Sequence, residues 1–213
     1  MANEKAKFLG RSEEFKIDGL RAIWTDGLFK PQKNDQGVEK YGCTLLWPKT
    51  NVALTTKMKQ VCEQVALDSW KEKTAQLVQN QLVKLPLLDG DGPQGVSKKT
   101  GERRPEYVGH WFIRPQSVNK PTTVDRAVLP AGPDVIYSGC YVNAVVNVYA
   151  YDHPKSGLGL SVGLSMVQFA RDGERVGGGG GPRDPNEFFE KIPDEGAAPV
   201  ATQGGAGAGG LFG

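Results

Sequence analysis

Residues 138–151, SGCYVNAVVNVYAY, decide the fold. Their side chains alternate in character from one position to the next, which predicts a β-strand over Ser138–Tyr151. One face is small and apolar and is predicted to face a core; it consists of Val142, Ala144, Val146, Val148 and Ala150. The other face is aromatic, rich in amides and uncharged; it consists of Tyr141, Asn143, Val145, Asn147, Tyr149 and Tyr151. Such a face suits flat, partly polar ligands, of which nucleic-acid bases are the obvious candidates.

Other segments extend this pattern to a mainly β domain. A first strand or strand pair is predicted over Phe15–Phe29, with Leu20, Ala22 and Trp24 on one face, and further strands over Tyr41–Trp47 and His110–Gln116. Leu158–Phe169 is predicted to pair back on the 138–151 strand as a hairpin. Small residues along one face of this last strand would let another backbone or a base approach closely; they are Gly159, Ser161, Gly163 and Ser165.

A helix and a long loop interrupt the strands. Apolar residues recur at three- and four-residue spacing after Thr50 or Asn51, which predicts a capped helix to about Lys73, with a continuation toward Leu82 left open. The segment Lys84–Gly109 is rich in glycine, proline and bases and is predicted to be an irregular loop. Asp89 and Asp91 within it resemble part of a calcium loop, but the remaining ligand positions are missing, so both are interpreted as turn residues.

The composition changes after Arg171, which predicts a folded domain over 1–176 and a disordered tail over 177–213. Residues 183–213 hold five acidic and two basic residues, a net charge of −3, whereas the whole chain carries +2. Residues 1–182 therefore carry +5. A basic body with an acidic tail is typical of some nucleic-acid-binding proteins.

Several classes of function are not expected. The charged N-terminus lacks the apolar core of a secretory signal, and no apolar run is long enough to span a bilayer. Three widely spaced cysteines and two histidines indicate neither a disulfide framework nor a zinc site, and they fit a reducing compartment. The sequence holds no nucleophile elbow, phosphate-binding loop or metalloprotease motif, so we predict that the protein is not an enzyme and uses no cofactor or metal.

The aromatic and basic residues on or beside the predicted strands are therefore interpreted as a binding surface for single-stranded nucleic acid, in which rings stack on bases and cations meet phosphates. Whether Trp24 and Trp47 face the core or the ligand is left open. The candidate residues are Tyr141, Tyr149, Tyr151, Asn143, Asn147, Trp24, Phe29, Tyr41, Trp47, Tyr107, Trp111, Arg21, Lys30, Lys40, Lys49, Arg103, Arg104, Arg114, Lys120, Arg126 and Lys155.

The order and spacing of several landmarks resemble the single-stranded DNA-binding proteins of tailed phages, a family once catalogued only as a domain of unknown function. The landmarks are GLFKP (Gly27–Pro31), KYGCTLLWPK (Lys40–Lys49), KLPLLDGD (Lys84–Asp91), YVGHWFIRPQS (Tyr107–Ser117), KPTTVDR (Lys120–Arg126), YSGCYVNAVVNVYAYD (Tyr137–Asp152) and GLGLSVGLSMVQFARDGE (Gly157–Glu174).

The resemblance implies an OB-fold, a small antiparallel barrel, with the helix and long loop inserted between strands. It also implies sequence-independent binding of single-stranded DNA in replication, recombination or repair, in the cytoplasm of the infected bacterial host. In the tail, the aromatic residues Phe188, Phe189 and Phe212 are candidates for docking replication proteins such as a polymerase or helicase. Two expectations remain open: a homodimer, and a β-rich virion component that uses the same aromatic face between subunits.

Overall fold

The computed structural model describes residues 6–33, 37–80, 82–155 and 157–176, which lie in one compact unit spanning Met1–Gly178. The predicted tail, with Phe188, Phe189 and Phe212, lies outside the described residues and stays a prediction. Within the described ranges, no helix has the length and apolar character needed to cross a membrane. The elements are β1 (Lys7–Arg11), β2 (Phe15–Ile23), β3 (Gln32–Lys33), β4 (Glu39–Gly42), β5 (Thr44–Pro48), α1 (Val52–Trp70), α2 (Thr74–Gln79), β6 (Leu88–Asp89), β7 (His110–Ile113), β8 (Gln116–Ser117), β9 (Thr122–Val124), β10 (Tyr141–His153) and β11 (Gly157–Arg171).

The sheet curls back on itself. Strand β10 pairs antiparallel with β2 and with β11, β2 pairs with β5, and β5 pairs with β7. Strands β4 and β8 continue β5 and β7 across short interruptions and also pair with each other. A parallel pair between β8 and β11, at Gln116 and Gly163, joins the two edges. This circuit is the strand arrangement of an OB-fold, and the predicted fold class, with α1 and the long loop inserted between β5 and β7, is confirmed.

The alternation that predicted β10 is present in the structure. Its apolar face is fully buried, and the opposite face from Tyr141 to Tyr151 is half-buried throughout. The strand begins at Tyr141 rather than Ser138, because Gly139 has a positive φ of 109° and Cys140 donates a backbone hydrogen bond to Tyr137. It pairs with β11 along its full length, so the predicted hairpin is also confirmed.

The first strand is shorter than predicted. Strand β2 ends at Ile23, Trp24 takes a left-handed backbone conformation, and Thr25–Leu28 form a 3-10 turn. The prediction that Trp24 continues the face of Leu20 and Ala22 is therefore wrong. The following turn is closely packed, since a Cβ on Gly27 would collide with the carbonyl oxygen of Gly42.

The inserted helix α1 begins as predicted, with the Asn51 side chain accepting a hydrogen bond of 3.1 Å from the Leu54 N–H. Its buried face, which includes Met58 and Trp70, packs into the main core with the barrel interior. The helix ends at Trp70 because Lys71 has a φ of 51°, and the short α2 follows. The predicted irregular loop over 84–109 contains β6, which pairs with β7. Strand β1, which the pattern did not predict, pairs with β10.

Candidate nucleic-acid interface

Trp24 stands at the centre of the candidate site. Its side chain is 41% exposed although its φ is 57° and its ψ is 41°. A left-handed conformation raises the energy of a bulky L-residue by about 1–2 kcal/mol, and such strain is concentrated at functional sites. The surroundings hold the residue in place: the Trp24 Nε1–H donates to the Tyr107 hydroxyl at 3.2 Å, and the Thr25 N–H donates to Ser138 Oγ at 3.2 Å.

Arg104 lies over the Trp24 ring. Its guanidinium carbon is 4.8 Å from the centroid of the Trp24 ring and 6.0 Å from that of Tyr107. Tyr107 itself is buried and packs edge-to-face on Phe112, with ring centroids 4.6 Å apart. Tyr107 therefore supports the exposed indole and has no free face of its own for a base.

Two adjoining grooves meet at Trp24, and we call them together the Trp24 cleft. Their volumes are about 580 and 260 Å³, and both are lined by Trp24, Thr44 and Arg114. The larger groove is walled by the loop after β6, and the smaller one lies between β3, β4 and β8. The other lining residues are Gly27, Gln32, Lys33, Lys40, Tyr41, Gly42, Cys43, Pro93, Gln94, Val96, Lys98, Lys99, Arg104, Tyr107 and Gln116.

The charge of this cleft has one sign. Its described lining holds six cations and no Asp or Glu; the cations are Lys33, Lys40, Lys98, Lys99, Arg104 and Arg114. The whole chain has 24 acidic and 26 basic residues, so a lining with six cations and no acidic residue differs strongly from the average composition of the chain. A groove lined by charges of one sign attracts ligands of the opposite sign, here an anion with aromatic groups.

A third groove of about 260 Å³ lies on the outer face of β10 and β11. It is lined by Phe8 and Arg11 from β1, by Asn147 and Tyr149 from β10, and by Gly163. The Phe8 and Tyr149 ring centroids are 6.4 Å apart, and those of Tyr149 and Tyr151 are 6.5 Å apart. We call this groove and its three rings the ring patch; its other lining residues are Lys40, Gln116, Ser117 and Val118.

Three predicted aromatic candidates lie in the hydrophobic core or beside the inserted helix. Trp47 is 1% exposed and its Nε1–H donates to Thr55 Oγ1 at 3.0 Å, so it is in no position to stack a base. Phe29 is partly buried against the main core. Trp111 lines an apolar groove beside α1 and α2, outside the Trp24 cleft.

Two predicted cations, Lys49 and Arg103, already bind groups within the protein. Lys49 Nζ lies 2.5 Å from Asp89 and 2.7 Å from Asp91, and these hydrogen-bonded pairs raise the pKa of Lys49 and lower those of both carboxylates. Asp89 and Asp91 thus lie in the predicted turn and pair with Lys49. Arg103 donates to the carbonyl oxygen of Gly90 at 2.8 Å and thereby fixes the loop that walls the cleft.

Residues around the start of β10 contact the end of β11 and the segment that follows it. The Arg171 guanidinium lies 3.4 Å from the Tyr141 ring centroid, and Arg21 donates to the carbonyl oxygen of Glu174 at 3.2 Å. Asn143 accepts from the Gly19 N–H and donates to Gln168, both at 3.1 Å. The remaining predicted cations are exposed and lie outside the three grooves; they are Lys30, Lys120, Arg126 and Lys155.

The structure thus brings together one part of the predicted set: Trp24, Tyr41, Lys40, Arg104 and Arg114 in the cleft, and Asn147, Tyr149 and Tyr151 at the ring patch. The lining residues that the candidate list did not include are headed by Phe8, Arg11, Thr44, Lys98 and Lys99. The bases among them are visible in the sequence as loop charges, but only the fold shows which loops face Trp24.

Comparison with known proteins gives a family match over most of the chain. The sequence model of the family described as Enterobacter phage Enc34, ssDNA-binding protein, matches residues 14–197. Protein p50 of Acyrthosiphon pisum secondary endosymbiont phage 1 is 32% identical over 174 residues, which cover 78% of this chain and 88% of that protein.

Solved structures share the fold. The single-stranded DNA-binding protein from bacteriophage Enc34 in complex with ssDNA has a TM-score of 0.62 at 23% identity and covers 77% of this chain and 89% of its own. A second structure, of the single-stranded DNA-binding protein from bacteriophage Enc34, has a TM-score of 0.61 at 23% identity and covers 86% of this chain and 98% of its own. The family predicted from the order of the motifs is confirmed: the chain belongs to the Enterobacter phage Enc34 single-stranded DNA-binding protein family.

Proposed function

We propose that this chain binds single-stranded DNA with little sequence preference, using the Trp24 cleft as its principal site. One observation carries the proposal: an exposed indole, held in a strained conformation, lies between walls whose described lining has six cations and no carboxylate. A ring that stacks on bases gives affinity without sequence specificity. Cations that contact the phosphates of the DNA strand supply the part of the affinity that depends on salt. Membership of a family described by its binding of ssDNA supports the same function.

The cleft is suited to unpaired bases. A base stacks face-on on Trp24 only when it has left a duplex stack, so the indole favours single strands over double strands. Arg104 already covers this ring, and a guanidinium displaced by a base would remain within reach of the adjacent phosphate. Tyr41 and Thr44 lie further along the floor of the same cleft.

The chemistry of the cleft favours binding without catalysis. Its described lining contains no carboxylate or histidine that could act as a general base. Burial raises the pKa of the Cys43 thiol far above its ordinary value, so this residue is not an activated nucleophile. The family is likewise one of binding proteins and not of enzymes.

The biological setting follows from the family. A phage protein of this kind acts in the infected host cell, and we propose the bacterial cytoplasm as its location and the protection of single strands during replication, recombination or repair as its role. Docking of replication proteins by the tail through Phe188, Phe189 or Phe212, and formation of a homodimer, remain proposals. The family membership favours DNA binding over a virion component.

Quenching of tryptophan fluorescence by dT oligonucleotides tests the proposal. We expect tight binding to single strands, weak binding to duplex of the same length, and a fall of log K with log salt. Seven cations line the Trp24 cleft and the ring patch together, so the slope should be no steeper than about −5, at about −0.7 for each phosphate contacted. Equal affinity for duplex and single strand would contradict the proposal.

A further inference from the structure

The ring patch is separate from the Trp24 cleft but shares residues with it. Lys40 and Gln116 line both the smaller groove of the cleft and the ring patch. A row of cross-strand partners also joins the two sites, running from Gly42 through Gln116 and Gly163 to Asn147. The row crosses three inter-strand steps, a distance of roughly 14 Å at the usual sheet spacing.

Two of the four residues in this row are glycines, and neighbouring groups pack closely against both. A Cβ on Gly163 would collide with Asn147 Oδ1, and one on Gly42 would come within 2.5 Å of the carbonyl oxygen of Pro115. The space above both glycines is therefore filled by neighbouring protein atoms, and an uncharged surface that carries the Gln116 and Asn147 amides lies between the two sites.

The chemistry of the ring patch matches that of the cleft. Phe8 is 57% exposed, and its ring lies beside that of Tyr149. Arg11 and Lys40 supply two cations, and the described residues that line this groove include no Asp or Glu. Exposed rings beside cations are the arrangement that binds successive nucleotides of a single strand.

On the basis of the function proposed above, we propose that the ring patch is a second stacking subsite for the same DNA strand. A strand bound at Trp24 follows the row from Gly42 to Asn147 and places a base on the Phe8–Tyr149 pair. The occupant is DNA because the path is continuous with the cleft and positively charged at both ends. Strand β1, an addition to the five-stranded barrel circuit, thereby extends the binding surface beyond the cleft.

The inference predicts a dependence on oligonucleotide length. Short dT oligonucleotides, which the Trp24 cleft alone accommodates, should bind Phe8→Ala and the wild type equally. Longer oligonucleotides should bind Phe8→Ala about five- to 150-fold more weakly, the factor expected from the loss of one stacked base. Phe8→Leu is the matched control, because it keeps an apolar contact with Tyr149 and loses the aromatic face; it should be nearly as weak as Phe8→Ala.

The outcomes separate this inference from the proposed function. If Phe8→Ala and Tyr149→Ala, both folded by circular dichroism, bind all lengths like the wild type while Trp24→Ala binds weakly, the ring patch is not a subsite and the cleft remains. If the wild type binds no single-stranded oligonucleotide, both proposals fail. A change in the sedimentation coefficient of the free protein on Phe8→Ala, with unchanged DNA affinity at every length, would assign the patch to a subunit contact and overturn the inference.

Discussion

Replacing Trp24 by glycine and by alanine separates the effect of its strained backbone on stability from the effect of its ring on DNA binding. Both variants lose the buried part of the indole, which at about 25 cal/mol per Å² contributes roughly 3 kcal/mol, and both lose the hydrogen bond to Tyr107, worth about 1 kcal/mol. They differ in the backbone. At a φ of 57°, alanine retains about 1 kcal/mol of strain or more, whereas glycine has none.

The sign of the difference between the variants is therefore the prediction. Glycine increases the entropy of the unfolded chain and destabilises the native state by about 0.4–1 kcal/mol relative to alanine, so at an ordinary strand position Trp→Gly would be the less stable variant. At Trp24 the relief of strain outweighs this entropy. We expect Trp24→Gly to be more stable than Trp24→Ala by up to about 1 kcal/mol, measured as a higher urea midpoint at the same m-value.

DNA affinity, unlike stability, should not distinguish the glycine variant from the alanine variant. Both variants should bind dT oligonucleotides about five- to 150-fold more weakly than the wild type, since neither can stack a base, and Trp24→Phe should recover part of the loss. Affinities are measured by anisotropy of a labelled oligonucleotide, because the indole itself is altered. A glycine variant less stable than the alanine variant would refute the argument from strain, and unchanged affinity in both would leave Trp24 a structural residue.

Three further predictions concern charge and capping. Lys40→Gln should make the slope of log K against log salt shallower by about 0.7, whereas Lys49→Gln should leave it unchanged because Asp89 and Asp91 already pair with that ammonium; titrations at several salt concentrations check both. The lowered pKa values of the two aspartates mean that their pairs with Lys49 stabilise the fold above the unfolded pKa of about 4 and are lost as the pH falls through the folded values. The Tm difference between the wild type and Lys49→Gln should therefore shrink below about pH 4. Asn51→Ala should lower the free energy of unfolding by about 1 kcal/mol with no change in DNA affinity, as urea denaturation and oligonucleotide titration will show.

The sequence predicted the elements whose burial is regular. In β10 every second side chain lies in the barrel core, so the alternation of apolar residues in the sequence matches the alternation of burial along the strand. Helix α1 was recognisable for the same reason: one stripe is buried, and Asn51 caps its first turn. The hairpin of β10 and β11 followed from two alternating segments on either side of a short turn.

Local pattern could not predict what depends on distant partners. Trp24 alternates with Leu20 and Ala22 along the chain, but its position is set by Tyr107 and Ser138, which lie more than 80 residues away in sequence. Strand β1 is short and largely exposed, and it exists because β10 offers it an edge. The position of Phe8 is invisible for the same reason, since nothing in KFLGR indicates that its ring lies beside Tyr149.

The cations show most clearly why a list of residue types overestimates a binding site. Lysine and arginine look alike in a sequence, yet here Lys49 pairs with two aspartates and Arg103 holds a loop, whereas Lys40 and Arg114 face a cleft whose described lining has no opposing charge. An ammonium whose charge is already compensated within the protein neutralises little phosphate charge, so its contact releases few of the counterions condensed on the DNA. The salt dependence of DNA binding therefore reports the unpaired cations, and these are defined by the closure of the barrel and not by the composition of the chain.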